Sequence, residues 1–328
     1  MPIVMAAAGQ VRAHLDYPTC IGLMRQAMIR LSLGETRQLP RQILRLDNGM
    51  LGVMPGAIGP ADAFGLKVVS VYPGNFAKGL PSHQGMIMLF EPEHGVPIAL
   101  VDAGEVTRIR TASASAAATD ALARQDARVL AVLGYGEQAE AHIAAIRQVR
   151  PIERVLVWGR NAAKCTRFAG HVGMTGIACE VAATPAEAAA SADIICTVTG
   201  ASEPVLSGAD VRPGTHVNLV GSSHAGPAEA DNALVAGSRY FVDSREAVLA
   251  QGAEYLRARD AGLIDETHIL GEIGEVFGGS VPGRTNPADV TIYKSLGQII
   301  QDLASAWHVY SCLSAAAETS LAGTVTAQ

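Results

Sequence analysis

A glycine-rich turn between a hydrophobic run and a helical stretch has the spacing of a phosphate-binding loop. Residues 130–133 lead into Gly134, Gly136 and Ala139, which form a GxGxxA pattern. Gly134 permits a tight turn, Gly136 lets the backbone approach a pyrophosphate, and Ala139 lets the helix pack close to the strand. Glycine turns also occur in unrelated α/β proteins, but a position between strand and helix favours dinucleotide binding.

The next predicted strand ends without the acidic residue that commonly binds the ribose 2′-hydroxyl of an adenosine. Gly159 stands there instead, followed by Arg160, Asn161 and Lys164. An arginine at this place can bind a 2′-phosphate, and the neighbouring side chains can add a hydrogen bond and a second charge. Arg160 could alternatively stack on adenine or face solvent. The sequence predicts that NADPH is the preferred cofactor, with NADH also possible.

The elements around the turn alternate between strand and helix. Short hydrophobic runs are typical of strands at 128–133, 155–158, 179–181, 194–197, 216–220 and 240–242. Helical stretches separate them, the first from about residue 137 to 148. Such alternation predicts a parallel sheet wrapped by helices. We therefore expect an α/β fold with a Rossmann-type dinucleotide-binding domain over residues 112–299.

A different pattern precedes this region. A helical stretch at 16–33 is followed by strand-like runs and a hairpin that ends at about residue 103. Residues 294–315 are again helical in pattern, and a terminal helix can return to the first domain. We expect an α+β substrate-binding and dimerisation domain formed by residues 1–111 and 300–328.

Composition limits the classes of function. Of the 328 residues, 49% are hydrophobic and 17% are charged, which excludes a disordered chain. The net charge of −6 argues against nucleic-acid binding, which normally needs a basic face. The five cysteines form no CxxC pair, and the histidines show no metal-binding spacing. We expect no metal and no membrane span, and the absence of a secretory signal pattern indicates a cytoplasmic protein.

Several motifs, taken in order with the glycine turn, resemble the ornithine cyclodeaminase/mu-crystallin family. They include GLKVVSVYP at 65–73, RTA at 110–112, TVT at 197–199 and TIYKSLG at 291–297. The resemblance covers nearly the whole chain, and the combination of these motifs is specific. It implies a substrate domain that also dimerises, next to a nucleotide domain. Members include cyclodeaminases, amino-acid dehydrogenases, ketimine reductases and a few lyases.

The resemblance also implies that three cations hold the carboxylate of a small substrate. By position these cations are Arg41, Lys67 and Arg110. Two guanidiniums and an ammonium can bind one carboxylate through charge-assisted hydrogen bonds. Arg41 and Arg110 could alternatively be surface cations, whereas Lys67 lies in an apolar run where burial without function would be costly.

Cofactor contacts are implied for a further set of residues. Besides Gly134, Gly136, Ala139, Arg160 and Asn161, they are Thr111, Glu137, Gln138, Thr197, Val198, Thr199, Val220, Ser295 and Gly297. His83 and His224 could donate a proton or shape the substrate pocket. Each of these two could instead be a hydrogen-bonded structural histidine.

Ser223 marks a departure from the cyclodeaminases. Cyclodeaminases and related alanine dehydrogenases carry an aspartate at this position, shortly after the strand at 216–220. Serine cannot act as that base at neutral pH, and a serine-containing loop resembles the ketimine-reductase branch. We therefore expect no cyclodeamination, and we count Ser223 with Lys67, His83 and His224 among the catalytic candidates.

The sequence and the resemblance together predict an NAD(P)H-dependent reductase of an imino acid, such as 1-pyrroline-2-carboxylate or 1-piperideine-2-carboxylate. One alternative is an amino-acid dehydrogenase that acts on an acyclic imine. Others are a lyase, either a hydroxyproline dehydratase or a cyclodeaminase, and an NADPH-dependent ligand-binding protein. The expected partners are a small imino-acid or amino-acid substrate and a second copy of the chain in a homodimer.

Overall fold

The computed structural model describes residues 3–59, 62 and 64–325. The chain divides into two compact units, one formed by Met1–Arg110 with Gln298–Gln328 and the other by Thr111–Gly297. We call them the discontinuous unit and the central unit. No helix within the described ranges is long and apolar enough to cross a membrane.

The bounds of the regular elements follow the chain. The strands are β1 (Val4–Ala6), β2 (Arg37–Gln38), β3 (Gln42–Leu46), β4 (Gly49–Ala57), β5 (Phe64–Val71), β6 (His83–Phe90), β7 (Pro97–Asp102), β8 (Val129–Leu133), β9 (Arg154–Trp158), β10 (Ala178–Val181), β11 (Ile194–Thr197), β12 (His216–Leu219), β13 (Arg239–Val242), β14 (Ile269–Glu272) and β15 (Thr291–Lys294). The α-helices are α1 (Ala8–His14), α2 (Tyr17–Ser32), α3 (Ala103–Leu122), α4 (Glu137–Ile146), α5 (Ala162–Gly173), α6 (Pro185–Ala190), α7 (Asn232–Ala236), α8 (Arg245–Gln251), α9 (Ala253–Asp260), α10 (Ile273–Phe277) and α11 (Ile299–Val325).

The discontinuous unit contains a seven-stranded, mainly antiparallel sheet. Its strand order is β1-β7-β6-β5-β4-β2, and β3 also pairs with β4. The pairing of β1 with β7 is parallel. Helix α11 packs against α2 and against β4, β5 and β6, so this helix covers the middle of the sheet. The core between them contains Met24, Met28, Ile87, Leu89 and Leu303, all fully buried.

The central unit contains an eight-stranded parallel sheet. Its order is β10-β9-β8-β11-β12-β15-β13-β14. The direction of strand order reverses between β8 and β11, which pair directly. Doubly wound sheets bind ligands at the carboxyl ends of the strands beside such a switch point. The predicted fold class, a Rossmann-type parallel sheet together with an α+β unit, is confirmed.

One predicted helix begins in the wrong place. Residues 291–294 form β15, which lies between β12 and β13 in the sheet, and α11 begins only at Ile299. The four residues of β15 are fully buried, and a short buried strand cannot be distinguished from a helix by periodicity. At its other end α11 continues to Val325, beyond the expected end near 315. The sequence pattern also gives no clear signal for β1, α1 or β14.

Candidate active site

Lys67 is a buried cation in the middle of the antiparallel sheet. It lies on β5 opposite Met54 of β4 and Ile87 of β6, and only 4% of its surface is exposed. Its Nζ atom donates to Oδ1 of Asp302 at 3.0 Å and to the hydroxyl oxygen of Thr107. A buried ammonium needs such partners because water no longer solvates it.

Arg110 reaches the same carboxylate from helix α3. Its Nε atom donates to Oδ1 of Asp302 at 3.1 Å, and its Nη1 atom donates to Oε1 of Gln301 at 2.8 Å. Within the described part of the chain, its Nη2 atom has no recorded partner. Asp302 and Gln301 are fully buried on α11. A single carboxylate oxygen therefore bridges the Lys67 ammonium and the Arg110 guanidinium.

Burial, together with the charges in this group, sets the pKa of Lys67. Burial lowers the pKa of its ammonium to about 8, Asp302 opposes this fall, and Arg110 and Arg41 add to it. Burial by itself would raise the pKa of Asp302, but Arg110 and Lys67 hold it below its usual value. At neutral pH both partners are therefore charged, with two further cations nearby.

Arg41 and His83 belong to the same neighbourhood. Arg41 is half-buried between β2 and β3, and His83 begins β6. The pKa of His83 is lowered, although the residue is exposed. The main cause is that neighbouring protein atoms displace water from the ring, and the positive charges of Lys67 and Arg41 add to the effect. Nδ1 of His83 lies 2.8 Å from the hydroxyl oxygen of buried Ser82. The structure thus brings Arg41, Lys67, His83 and Arg110 together, and we call Arg41, Lys67 and Arg110 the cation cluster.

Asp302 is a functional candidate outside the set of residues predicted from the sequence. A signal for it exists, because Asp302 is an acidic residue between Ile299 and Leu303 on a largely apolar helix. A charge on the buried face of a helix normally has a partner. The identity of that partner could not be inferred, since Lys67 lies 235 positions away along the chain.

The predicted phosphate-binding turn joins β8 to α4 in the central unit. Gly134 has a φ of 129°, and a Cβ there would lie 2.7 Å from the carbonyl oxygen of Val198. Gly136 is the N-cap of α4 and supplies no side-chain cap, and a Cβ at Gly136 would meet nothing within 4 Å. Ala139 is fully buried, as close helix–strand packing requires. This arrangement fits a pyrophosphate at the start of α4.

The end of β9 shows why residue 159 is glycine. A Cβ at Gly159 would lie 2.3 Å from Cδ1 of the Tyr135 ring and 3.3 Å from Sγ of Cys165. Arg160 follows as an exposed side chain with no partner recorded among the described residues. Asn161 caps α5, since its Oδ1 accepts from the backbone N–H of Lys164 at 3.0 Å. The Asn161 amide nitrogen remains available as a donor.

Glu229 anchors the loops that follow β11 and β12, and it too is absent from the sequence-based site. The fully buried carboxylate accepts from the hydroxyls of Thr197 and Thr199, each at 2.7 Å. It also accepts from the backbone N–H groups of Thr199 and Gly221, each at 2.6 Å. Burial raises the pKa of Glu229, although these hydrogen bonds oppose the rise. The hydroxyl of Thr197 is thus bonded within the protein, whereas Val198 is partly exposed.

The loop after β12 carries Val220, Ser223 and His224. Val220 and Ser223 are partly exposed and His224 is exposed. Lys294 fixes this loop from β15, because its buried Nζ atom donates to the carbonyl oxygen of Ser222 at 2.6 Å. Nζ also lies 2.7 Å from a carboxylate oxygen of fully buried Glu254.

Among the buried hydroxyl groups of the central unit that lack a hydrogen-bond partner in the described residues, two lie at predicted cofactor positions. They belong to Thr111 on α3 and Ser295 after β15. Gly297, next to Ser295 in the chain, has a φ of 83°, and its N–H donates to Oδ2 of Asp243 at 2.7 Å. Orphaned hydroxyls are costly, so they favour a site that a bound ligand completes.

The remaining predicted contacts lie at the start of α4. Glu137 and Gln138 occupy its first turn, where Glu137 is exposed and Gln138 is partly buried. All the predicted cofactor positions fall in the central unit, and the cation cluster and His83 fall in the discontinuous unit. In the described ranges, no group of three or more His, Cys, Asp or Glu side chains could hold a metal ion.

Comparison with known proteins matches this chain to a known family. The ornithine cyclodeaminase/mu-crystallin family matches residues 2–317 of the chain. The ketimine reductase mu-crystallin of Mus musculus is 36% identical over 262 residues, which cover 80% of each protein.

Solved structures resemble nearly the whole chain. The Thermococcus litoralis Delta(1)-pyrroline-2-carboxylate reductase in complex with NADH and L-proline has a TM-score of 0.91 at 33% identity, covering 94% of this chain and 97% of that one. An archaeal alanine dehydrogenase dimer with bound NAD has a TM-score of 0.89 at 30% identity, covering 95% and 96% of the two chains. The chain therefore belongs to the ornithine cyclodeaminase/mu-crystallin family.

Proposed function

We propose that this chain is an NAD(P)H-dependent reductase of imino acids whose C=N bond adjoins a carboxylate. The preferred substrates are cyclic ketimines such as 1-pyrroline-2-carboxylate or 1-piperideine-2-carboxylate. The observation that carries the proposal is the cation cluster, in which Lys67 and Arg110 are buried and linked through one carboxylate. The similarity to a ketimine reductase and a pyrroline-2-carboxylate reductase supports the same activity.

The cation cluster would bind and orient the substrate. Arg110 retains free N–H groups for a carboxylate oxygen, and the Lys67 ammonium adds a second donor. Fixing the carboxylate restricts the adjacent imine carbon to one orientation, and orientation can supply much of the rate acceleration. When bound, a reduced nicotinamide cofactor supplies the hydride. Because a protonated imine needs little further acid, no carboxylate is required at Ser223.

The preferred cofactor in this proposal is NADPH. Three features of the central unit support it: the absence of a carboxylate at Gly159, the Tyr135 ring that occupies the space beside it, and the exposed Arg160. A guanidinium binds a phosphate through parallel charge-assisted hydrogen bonds. Two structurally similar proteins were solved with NADH or NAD, so the general class of cofactor is a nicotinamide dinucleotide.

We also propose a homodimer formed through the discontinuous unit. Among the strands that the structure describes, β3 pairs with β4 alone, and its apolar side chains Ile43, Leu44 and Leu46 are each at least 41% exposed. An exposed apolar strand edge tends to be covered in a stable protein. A similar alanine dehydrogenase is a dimer, which favours a second copy as the occupant. Light scattering at micromolar concentration tests this, and a monodisperse wild-type monomer would contradict it.

An acyclic imino acid is the second candidate substrate. The observation in its favour is the similarity over nearly the full chain to an archaeal alanine dehydrogenase. Both substrate classes present a carboxylate next to a C=N bond, so the cation cluster suits either.

A spectrophotometric screen of cyclic and acyclic imino acids with NADH and NADPH tests the proposed function. Loss of the reduced-nicotinamide absorbance with a cyclic ketimine is the expected result. Product formation without any absorbance change would indicate a lyase. Tight cofactor binding without turnover of any imino acid would indicate a ligand-binding protein.

A further inference from the structure

Asp302 connects the two buried cations of the cluster. Its side chain is fully buried on α11, and its Oδ1 atom accepts from Lys67 at 3.0 Å and from Arg110 at 3.1 Å. Its other oxygen, Oδ2, has no hydrogen-bond partner among the described residues. The recorded hydrogen bonds of this carboxylate are therefore both made to cations of the proposed substrate site.

We propose that Asp302 is a positioning residue for imine reduction: it holds the Lys67 ammonium and the Arg110 guanidinium in place and keeps both charged inside the protein. This inference rests on the proposed function. Asp302 is assigned to the site because it contacts Lys67 and Arg110, and not because it belongs to a sequence motif. Asp302 acts through the two cations and does not itself need to touch the substrate.

Geometry supports a positioning role. Each cation is held at two points, Lys67 by Asp302 and the Thr107 hydroxyl, and Arg110 by Asp302 and Gln301. Two anchors per side chain restrict the long flexible stems and leave the remaining N–H groups in a defined direction. A binding group whose rotamer is fixed in advance loses less entropy when the ligand arrives.

Electrostatics supports the same role. Two cations buried side by side repel each other, and an unpaired buried charge is strongly unfavourable. Asp302 offsets this repulsion with one negative charge, and Arg41 leaves the group with an excess of positive charge. That excess favours an anionic substrate. Without Asp302, Lys67 would release its proton more readily, and the site would lose one of its three cations.

The pH dependence of the site follows from the groups that face Lys67. These are Asp302 on α11, Arg110 on α3, Arg41 before β3 and His83 on β6. Asp302 is the anion among them, so its removal leaves only positive or neutral neighbours. The Lys67 pKa, which is about 8 in the wild type, should therefore fall in Asp302→Asn. As the pH rises, Lys67 of the variant then loses its proton at a lower pH than in the wild type, and substrate binding weakens at that lower pH.

The central unit provides a matched control. Oδ1 of Asp193 also bridges two cations, accepting from Arg124 at 2.7 Å and from Arg212 at 2.6 Å, and the residue is 8% exposed. Asp193→Asn therefore removes one negative charge from a bridge between two arginines, although Oδ2 of Asp193 also accepts from the backbone N–H groups of Arg128 and Val129 at 2.9 and 3.0 Å. Because Asp193 is not part of the cation cluster, this variant shows how the loss of such a bridge affects the stability of the protein without changing the cluster.

The test compares pH profiles of kcat and KM for Asp302→Asn, Asp302→Glu and Asp193→Asn. For Asp302→Asn we expect the imino-acid KM to rise at least tenfold, the cofactor KM to stay unchanged, and the alkaline limb of kcat/KM to move down by about one pH unit. Asp302→Glu keeps the charge, so its alkaline limb should stay near that of the wild type while KM rises. A folded Asp302→Asn with wild-type KM and pH profile would overturn the inference, as would the same shift in Asp193→Asn. If Asp302→Asn does not fold, a downward-shifted limb in Asp302→Glu overturns it.

A second readout separates this inference from the proposed function. NMR titration of protein carrying ¹³C-labelled lysine, with the Lys67 signal assigned by its loss in Lys67→Arg, measures the Lys67 pKa without any turnover. We expect a lower pKa in Asp302→Asn than in the wild type. Wild-type protein that reduces no imino acid refutes the proposed function, whereas an unchanged Lys67 pKa in Asp302→Asn refutes the role of Asp302.

Discussion

A Cβ atom at Gly159 would lie 2.3 Å from Cδ1 of the Tyr135 ring, so the ring occupies the space that a side chain at residue 159 would need. Many dinucleotide-binding sheets carry an acidic residue there to bind the ribose 2′-hydroxyl. In this chain Tyr135, which lies within the glycine turn, leaves no room for that carboxylate unless the ring moves. We therefore propose that the glycine turn and the end of β9 act together on cofactor choice.

Arg160→Ala should remove most of the preference for NADPH. A hydrogen-bonded contact between phosphate and arginine contributes about 1.5–3 kcal/mol, which corresponds to roughly ten- to a hundredfold in affinity. Because Arg160 is exposed, we expect the lower end of that range. The measurement is KM for both cofactors, with Arg167→Ala, which removes an exposed cation on α5, as the control. A wild-type preference for NADH would refute this role of Arg160.

Gly159→Asp should reverse the preference only when Tyr135 is also replaced. In the single variant the new side chain meets the Tyr135 ring, so both cofactors should bind more weakly. In Gly159→Asp/Tyr135→Ala the carboxylate has room to bind a ribose 2′-hydroxyl and repels a 2′-phosphate. Dissociation constants for NADH and NADPH, measured by fluorescence titration, check this. Equal cofactor selectivity in the single and double variants would show that Tyr135 does not control access to residue 159.

Lys67→Met should abolish imine reduction while the cofactor dissociation constant stays near the wild-type value. Methionine keeps most of the stem volume and removes the charge that would hold the substrate carboxylate. Asp302 loses one of its two partners, so thermal stability should also fall, although Arg110 still pairs with it. The control is Lys78→Met, which removes an exposed lysine of the same unit. Near wild-type kcat/KM in Lys67→Met would exclude Lys67 from the site.

Ornithine should not be cyclised to proline, with or without added NAD⁺. The resemblance to cyclodeaminases implies a catalytic carboxylate at the position of Ser223, and a serine hydroxyl is not a base at neutral pH. Proline formation from ornithine is measured by chromatography beside imine reduction by the same preparation. Comparable rates for the two reactions would show that the loop at Ser223 supports deamination.

His142 should make the protein sensitive to acid. Its Nδ1 donates to the carbonyl oxygen of Gln138 at 2.7 Å, and its Nε2 lies 2.9 Å from the Ser115 hydroxyl, which satisfies a neutral ring. Burial lowers the His142 pKa to about 4. Between pH about 6.5 and about 4 the unfolded chain binds the proton and the folded chain does not, so stability falls by roughly 3 kcal/mol as the pH drops.

Urea unfolding between pH 4 and 7 tests this sign. His142→Gln should show a flatter pH dependence than the wild type, while the exposed His171→Gln should not differ from it. A wild type whose free energy of unfolding is constant across that range would contradict the prediction.

Local signals were sufficient for the elements around the glycine turn. Strand β8 and helix α4 follow from a hydrophobic run, a glycine turn and a helical pattern, all within 20 residues. Strand β15 is different, because four buried residues have no periodicity that separates strand from helix. Its place between β12 and β13 depends on pairing across distant parts of the chain.

In the candidate site, too, some residues can be predicted from the local sequence and others only from the folded structure. The position of Lys67 in an apolar strand indicates a buried cation from the sequence alone. The sequence does not reveal the partners of Asp302 and Glu229. The hydrogen bond from β5 to Asp302 on α11, and the one from β11 to Glu229, join parts of the chain that meet only in the folded protein. The lack of room for a side chain at residue 159, where the Tyr135 ring lies, is likewise visible only once β8 and β9 lie side by side.

In the proposed reaction, hydride passes from the cofactor to the imine carbon of a carboxylate substrate. The most direct test uses NADPH deuterated at C4 of the nicotinamide, 1-pyrroline-2-carboxylate as substrate, and mass spectrometry of the product. We predict proline carrying one deuterium at the carbon next to its carboxylate, and no labelled product with Lys67→Met. Proline formed without deuterium from either C4-deuterated diastereomer, or no proline at all from any imino acid in the presence of bound cofactor, would contradict the proposed function.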